Sequence, residues 1–574
     1  MPASLSRLPL LAVIALAACG GGSDNPAPTP PPSAPPPIPQ LGQAAPAVLV
    51  GSCADLALRL AGLANTTLTA STDVAAGALT VGGQPVPAHC RVTGKMFERT
   101  SAVDGNTYAI SFEVRLPLAW NGRFFHQGNG GIDGSVVTAT GAEGGGPLTH
   151  ALHKGFAVLS SDAGHAAAMG PFFGIDPQAR LDYGYQAAAK LTPMAKNLLA
   201  GAYGKGPDRS YFGGCSNGGR HVFNAFARMP EQYDGYLAGA PGYNLPKSAV
   251  ANIFGGQRYA SVATDPADIS TGFTNAERAT VAAAVLAKCD ALDGATDGLI
   301  QDVKACQSNF SLAADVPTCP GARDGSCLSS AQKTAIAPIF SGATTSTGAP
   351  VYSSFPYDAG IGSGGIPFWE FTAPVALDSG AVGVIFAVPP ADPLTFNGPS
   401  FALTGSIDAM FASISATNAT YTESAMSFMT PPNPTQLSRV RDRGAKIMVY
   451  HGVSDPIFSS DDSVSWAKGV ATNHADANAF ARLYLVPGMG HCSGGPATDQ
   501  FDMLASLVDW VERGVVPDRV TASARGAGNL GGVNAETPAG WAANRTRPLC
   551  PWPQVARYNG SGSLDSASSF SCRP

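Results

Sequence analysis

Five short runs of apolar and aromatic residues stand out along the chain, each followed by a turn. They are Arg123-Phe124-Phe125-His126-Gln127, Gly155 to Ser160, Arg209-Ser210-Tyr211-Phe212-Gly213-Gly214, Lys446 to Tyr450 and Arg482 to Val486. Continuous apolar runs of this length read as strands buried on both faces. Past the third run the spacing predicts a helix from about Gly218 to Arg228, and the last two runs also lead through a turn into helical patterns. Strand–turn–helix units repeated in this way predict an α/β class fold, a mostly parallel sheet with helices on both faces. Between Tyr243 and Pro434 the rhythm fails: apolar stretches lose regular alternation and Gly, Ser, Thr and Pro accumulate. That segment reads as an insertion closing over the carboxyl edge of the sheet, where open α/β sheets hold their ligands. No internal repeat is found.

The N-terminus changes the picture by adding an address. Arg7, an apolar run from Leu8 to Ala18 and Leu16-Ala17-Ala18-Cys19 read as an export signal ending in a lipobox-like tetrapeptide. Lipidation is therefore expected at Cys19, and the Pro-rich stretch Asn25 to Gln40 reads as a tether. The expected organisation is a lipoprotein signal peptide (1–18), a Pro/Gly-rich tether (19–45), a first core part (46–242), a lid (243–434) and a second core part (435–574). The place expected is the outer membrane or periplasm, with secretion as the alternative, and any membrane contact runs through the lipid. With 13 % charged residues and a formal net charge of -6, the chain has no basic footprint for nucleic acid. A small, weakly polar substrate and a monomeric state are expected.

Setting Cys19 aside, ten of the eleven cysteines remain, an even number that in an exported chain implies disulfides. Cys319 with Cys327 and Cys550 with Cys572 are natural local pairs. The absence of any CxxC pair argues against zinc or iron–sulfur.

The densest chemical signal is Gly214-Cys215-Ser216-Asn217-Gly218, a Gly-x-Ser-x-Gly placed between a strand and a helix. Partners follow in the order that suits an α/β-hydrolase. Asp455 lies in His451-Gly452-Val453-Ser454-Asp455-Pro456, after the fourth run, and His491 in Pro487-Gly488-Met489-Gly490-His491-Cys492, after the fifth. Ser216 would be the nucleophile, His491 its base, and Asp455 the group that orients the imidazole. His165 also follows a strand but precedes the serine, and His451 reads as structural. Cys215 adjoins the serine and Cys492 the histidine. A bond between them would tie both catalytic turns together.

Gly-Cys-Ser-x-Gly-Gly, the late Ser-Asp-Pro and Gly-x-x-His-Cys resemble the tannase and feruloyl esterase family, from about Cys53 to the C-terminus. That family also takes in hydrolases of mono(2-hydroxyethyl) terephthalate. The resemblance implies an α/β-hydrolase core with a large inserted lid, a serine carboxylesterase activity on aromatic acid esters, and a structural calcium in the lid. It also implies the pairs Cys53–Cys90, Cys289–Cys306, Cys319–Cys327 and Cys550–Cys572. Asp290, Asp293 and Asp297 in the turn 290–299 are the hard oxygen donors for calcium, with the carbonyls of Ala295 and Leu299 completing the shell as in the family. The oxyanion hole is expected from the N–H of Asn217 and one from Gly128-Asn129-Gly130-Gly131, Gly131 by resemblance, with Gly130 its neighbour. Trp369 and Phe458 are candidates to sandwich an aromatic acyl ring, and both read equally as core aromatics. No Lys or Arg occurs from Thr334 to Ser438. A lid without a partner for a free carboxylate favours a feruloyl- or galloyl-like ester, with the terephthalate half-ester as alternative. The rival of another class is a silent binding protein that keeps the fold.

Overall fold

The computed structural model describes residues 36–146, 148 and 150–574. The export signal, Cys19 and most of the tether lie outside the described residues. Ile38–Pro574 forms one compact unit, which contains the sheet and the site.

Nine strands build the main sheet: β1 (Thr66–Val74), β2 (His89–Thr100), β3 (Thr107–Pro117), β4 (Arg123–Gly128), β5 (Ala157–Ser161), β6 (Arg209–Cys215), β7 (Gly235–Gly239), β8 (Lys446–Gly452) and β9 (Ala481–Val486). Their order is β9-β8-β7-β6-β4-β5-β3-β2-β1. Pairing is parallel from β9 through to β5 and antiparallel beyond it. The five runs singled out in the sequence are β4, β5, β6, β8 and β9. The antiparallel strands β1 to β3 went unread, and the physical reason is visible in β1. One of its faces meets solvent, so it has no solid apolar run.

The parallel strands are apolar throughout because alternate residues enter two different cores. Phe124, Leu159, Phe212 and Ile447 pack on one face against Leu191 and Leu198 of α1 (Ala187–Tyr203), Val222 and Phe226 of α2 (Asn217–Arg228) and the Trp466 ring. Their neighbours Phe125, Val158, Tyr211 and Met448 pack on the other face against Leu504, Leu507 and Trp510. A third buried cluster draws mostly on residues 245–429, including Phe254 of α3 (Leu245–Ala260) and Val281 and Val285 of α4 (Asn275–Cys289).

The stretch without rhythm is largely helical. Three consecutive wide helical turns, Phe368–Thr372, Pro374–Asp378 and Ala381–Phe386, carry much of its apolar sequence. The last of these, Ala381–Phe386, is buried at every residue and so shows no polar stripe, which hides its period in the sequence. Two further helices, α5 (Ser460–Asn473) and α6 (Met503–Arg513), follow β8 and β9. Among the described residues, no helix is long and apolar enough to cross a membrane.

Candidate active site

Every candidate of the triad sits just past the carboxyl end of a parallel strand. Gly128 of β4 pairs with Gly214 of β6, Cys215 with Gly239 of β7, and Gly452 of β8 with Val486 of β9. The strand ends are thus level, and the loops beyond them face one another.

Ser216 occupies the turn between β6 and α2 with φ 66° and ψ -128°, a conformation costly for a residue with a β-carbon. The turn is this tight because the end of β4 crosses it. A β-carbon on Gly214 would lie 2.5 Å from the Gly128 carbonyl oxygen, and one on Gly218 only 2.3 Å from it. The flanking glycines are therefore required by contact with β4.

The Ser216 hydroxyl lies 2.8 Å from Nε2 of His491, and Nδ1 of His491 lies 2.7 Å from Oδ2 of Asp455. With hydrogen on Nδ1, the imidazole donates to the carboxylate and accepts from the hydroxyl. The other oxygen of Asp455 accepts the N–H groups of Ile457 and Phe458. Burial alone would raise this carboxyl. The charge of His491, with hydrogen bonds from His451 and His491, reverses that and holds it well below the ordinary carboxylate range. Serine, imidazole and carboxylate so arranged can carry out acyl transfer.

The other two histidine candidates have partners of their own, although His451 Nε2 also comes within 3.4 Å of Asp455. His451 is fully buried between the Ser463 hydroxyl and the Phe458 carbonyl. His165 stacks on Phe173 and bonds the Ile132 carbonyl, and burial pushes it down to about 4.

The glycine turn after β4 runs beside the serine. Gly131 has φ 63°. Open space lies on its β-carbon side, whereas a β-carbon on Gly130 would sit 3.9 Å from that of Ser216. Asn217 is the first residue of α2, so its N–H has no acceptor within the helix. Trp369 and Phe458 both stand edge-on to His491, with ring centroids at 4.9 and 5.4 Å. Trp369 also lines a small cavity with Ala251, Phe254, Ile339, Phe355 and Pro456.

Disulfides join Cys215 to Cys492, Cys53 to Cys90, Cys289 to Cys306, Cys319 to Cys327 and Cys550 to Cys572. The first spans 277 residues and locks the serine turn to the histidine turn.

Two buried carboxylates near the site escaped the sequence reading. Asp358 accepts the Ser454 hydroxyl at 2.6 Å and the Gly488 N–H at 2.7 Å, tying the acid and histidine loops together. Asp133 meets Asn217 and His221 behind the glycine turn, and burial, partly offset by Arg220, pushes it up to about 7. Neither lies in a motif. The only local signal for Asp133 was its place two residues after the Gly-Asn-Gly-Gly turn.

The acidic turn is closed by its own backbone. Asp290 accepts the N–H groups of Asp297 and Gly298, and Asp293 those of Ala295 and Gln301. Asp297 accepts from Leu299 and pairs with Arg547. Burial, with Asp297 alongside, pushes Asp293 up to about 7. Among the described residues, no group of three or more His, Cys, Asp or Glu side chains is arranged to hold a metal. The hard oxygen donors are present, and Asp297 has an arginine as its counter-charge.

Sheet topology, nucleophile turn and the Ser216–His491–Asp455 arrangement define the α/β-hydrolase type. Within it, the chain belongs to the tannase and feruloyl esterase family, whose sequence profile matches residues 90–573, and it is a carboxylesterase. It is 38 % identical over 530 residues to the mono(2-hydroxyethyl) terephthalate hydrolase of Piscinibacter sakaiensis, covering 86 % of each chain. It is 27 % identical over 486 residues to a probable feruloyl esterase B-1 of Neosartorya fischeri, covering 80 % of this chain and 82 % of that one. Feruloyl esterase B from Aspergillus oryzae superposes with a TM-score of 0.69 at 25 % identity, over 90 % of this chain and all of that one.

Proposed function

We propose that this chain hydrolyses esters of aromatic acids through an acyl-enzyme on Ser216. The observation that carries the reading is the unbroken chain of hydrogen bonds from Ser216 through His491 to Asp455. Ser216 Oγ attacks the ester carbonyl carbon while Nε2 of His491 takes its proton. The oxyanion that forms is met by the N–H groups of Asn217 and Gly131. The C–O bond to the alcohol then breaks, and His491 returns the proton to the departing oxygen. A water, deprotonated by His491, attacks the acyl-serine and releases the acid. Asp455 keeps the imidazole in place and stabilises its charged form.

Trp369 and Phe458, edge-on to His491, would bracket the acyl ring, with residues 243–434 as the lid that brings Trp369 there. A phenolic acid, feruloyl- or galloyl-like, suits a lid without Lys or Arg from Thr334 to Ser438. Arg278 of α4 gives its two terminal nitrogens to the Phe273 carbonyl and Asn275, but its Nε has no partner among the described residues and it lines a cavity with Glu370, Asp455 and Pro456, which keeps the half-ester open. The terephthalate half-ester is the second reading, favoured by the 38 % identity to the terephthalate relative against 27 % to the feruloyl esterase. Measuring kcat/KM for methyl ferulate, methyl gallate and mono(2-hydroxyethyl) terephthalate tests both. Preference for either phenolic ester supports the first reading and preference for the half-ester the second. Turnover of p-nitrophenyl acetate with none of these three would contradict the aromatic assignment.

Calcium is our reading of the acidic turn on donor chemistry. Asp290 and Asp293, neither in an ion pair among the described residues, would hold it with the Ala295 and Leu299 carbonyls, Asp297 being shared with Arg547. Bound there, the ion would supply charge neutralisation to the fold and nothing to the ester chemistry. Five disulfides suit an oxidising, exported setting. Anchoring through Cys19 is tested by fatty-acid labelling, which Cys19→Ala should abolish, and the monomeric state by light scattering.

A further inference from the structure

Two N–H groups on different segments must point at one oxygen, and the β4–β6 pairing ends at Gly128 and Gly214, short of both donors. Gly131 lies on the turn after β4, whereas Asn217 opens α2 on the far side of β6. A side chain bridges the two. The amide nitrogen of Asn217, in a side chain almost fully buried, donates to the Asn129 carbonyl at 3.3 Å and to the carboxylate of Asp133. Asn129 and Asp133 are the two ends of the arch that carries Gly130 and Gly131.

The arch itself is a closed turn, with the Asp133 N–H on the Gly130 carbonyl at 3.2 Å. Asp133 adopts φ 49°, which a residue with a β-carbon holds only when its surroundings impose it. The surroundings here are all polar and all buried. The side chain of Asp133 is 3 % exposed and receives His221 Nε2 at 3.2 Å as well as Asn217. The oxygen of the Asn217 amide is in turn fixed by Nε of Arg220 at 2.7 Å. Arg220 is anchored on the Gly184 and Tyr183 carbonyls at 2.6 and 2.9 Å. Asn129 is held from the other side, its amide donating to the Ser161 carbonyl at 2.7 Å and the Ser160 hydroxyl at 3.0 Å. Each member is thus held by at least two others, so the amide plane of Asn217 has one orientation.

We propose that Asp133, acting through the Asn217 side chain, is a positioning residue that sets the distance between the two oxyanion donors. The clasp rests on the acyl-transfer reading above and extends it. Asp133 touches neither substrate nor Ser216. It acts by holding the arch against the first turn of α2.

The test is a set of variants assayed on methyl ferulate, with an aryl trifluoromethyl ketone and free ferulate as inhibitors. The ketone adds to the nucleophilic serine and places an oxyanion between the donors, whereas ferulate probes the ground-state site alone. Asp133→Ala should lower kcat roughly 10- to 100-fold, the scale of an error of about 1 Å in donor placement, with KM and the ferulate Ki within about twofold. The ketone Ki should rise by the same factor as kcat/KM falls. Asp133→Asn keeps an acceptor for the Asn217 amide and should recover most of the loss, while Asp133→Glu, too long for the arch, should not. If Asp133→Ala does not fold, the Asn and Glu pair decides alone. An Asp133→Ala enzyme with unchanged kcat and ketone Ki, or an Asn variant as impaired as Glu, would overturn the clasp. Ser216→Ala separates the two levels. If it remains active, the acyl-transfer reading fails. If it is dead while Asp133→Ala is not impaired, only the clasp fails.

Discussion

In the proposed cycle His491 gives and takes a proton on one side while Asp455 holds the other. The Asp455 carboxylate is buried and bonded to the imidazole at 2.7 Å, its other oxygen accepting the Ile457 and Phe458 N–H groups. Asp455→Asn should therefore lower kcat on the order of 10³–10⁴-fold with little change in KM, because the amide favours the wrong tautomer. Steady-state kinetics on p-nitrophenyl acetate checks this, and a loss under tenfold would move the acid elsewhere. Trp369 stands edge-on to the same imidazole. Trp369→Ala should raise KM for methyl ferulate roughly 2- to 10-fold, the worth of one ring contact, and leave KM for p-nitrophenyl acetate nearly unchanged. The triad residues were legible because each stands in a motif beside a strand. Asp133 and Asp358 were not, since a buried carboxylate bonded across the fold leaves no trace in its own neighbourhood.

At the scale of elements, the two catalytic turns belong to β6 and β9, which are separated in the sheet by β7 and β8. The Cys215–Cys492 bond closes a loop of 277 residues between them. Replacing both cysteines by serine should cost about 2–5 kcal/mol of stability, read as a lower urea midpoint, and should lower activity with it. An unchanged midpoint would make the bond ornamental. The wide helical turns of segment 243–434 carry a different strain. Asp378 is 3 % exposed and accepts the Asn252 amide at 3.2 Å, and burial pushes it up to about 8. In the unfolded chain an aspartate ionises near pH 3.9. A raised folded value means its contribution is complete below that point and is lost as pH rises toward about 8. Asp378→Asn should remove this loss, so the variant should gain melting temperature over wild type steadily between about pH 4 and 8. Parallel melting curves over that range would contradict the assignment. The turn Ala381–Phe386 was hidden in the sequence because burial of every residue erases the polar stripe.

The whole molecule places the Ser216–His491–Asp455 chain at one edge of a sheet in which five of the six parallel strands were readable from apolar runs, the short glycine-bounded β7 being missed. The antiparallel half was not readable, because a half-solvated strand such as β1 has no such run. The turn 290–299, whose Leu299 packs by Gly488 of the histidine loop, is expected to bind calcium through the folded state only, which raises stability with concentration. EDTA should then lower the melting temperature, added calcium restore it, and activity at low temperature change far less than in Ser216→Ala. Identical melting curves with and without chelator would return the turn to its backbone and Arg547 contacts. The central claim, an acyl-enzyme on Ser216, is tested most directly by trapping the serine. Purified enzyme treated with a fluorophosphonate and mapped by mass spectrometry should carry one phosphonyl group on the peptide containing Ser216, in proportion to lost activity. Full activity after treatment, or a label on any other residue tracking the loss, would contradict it.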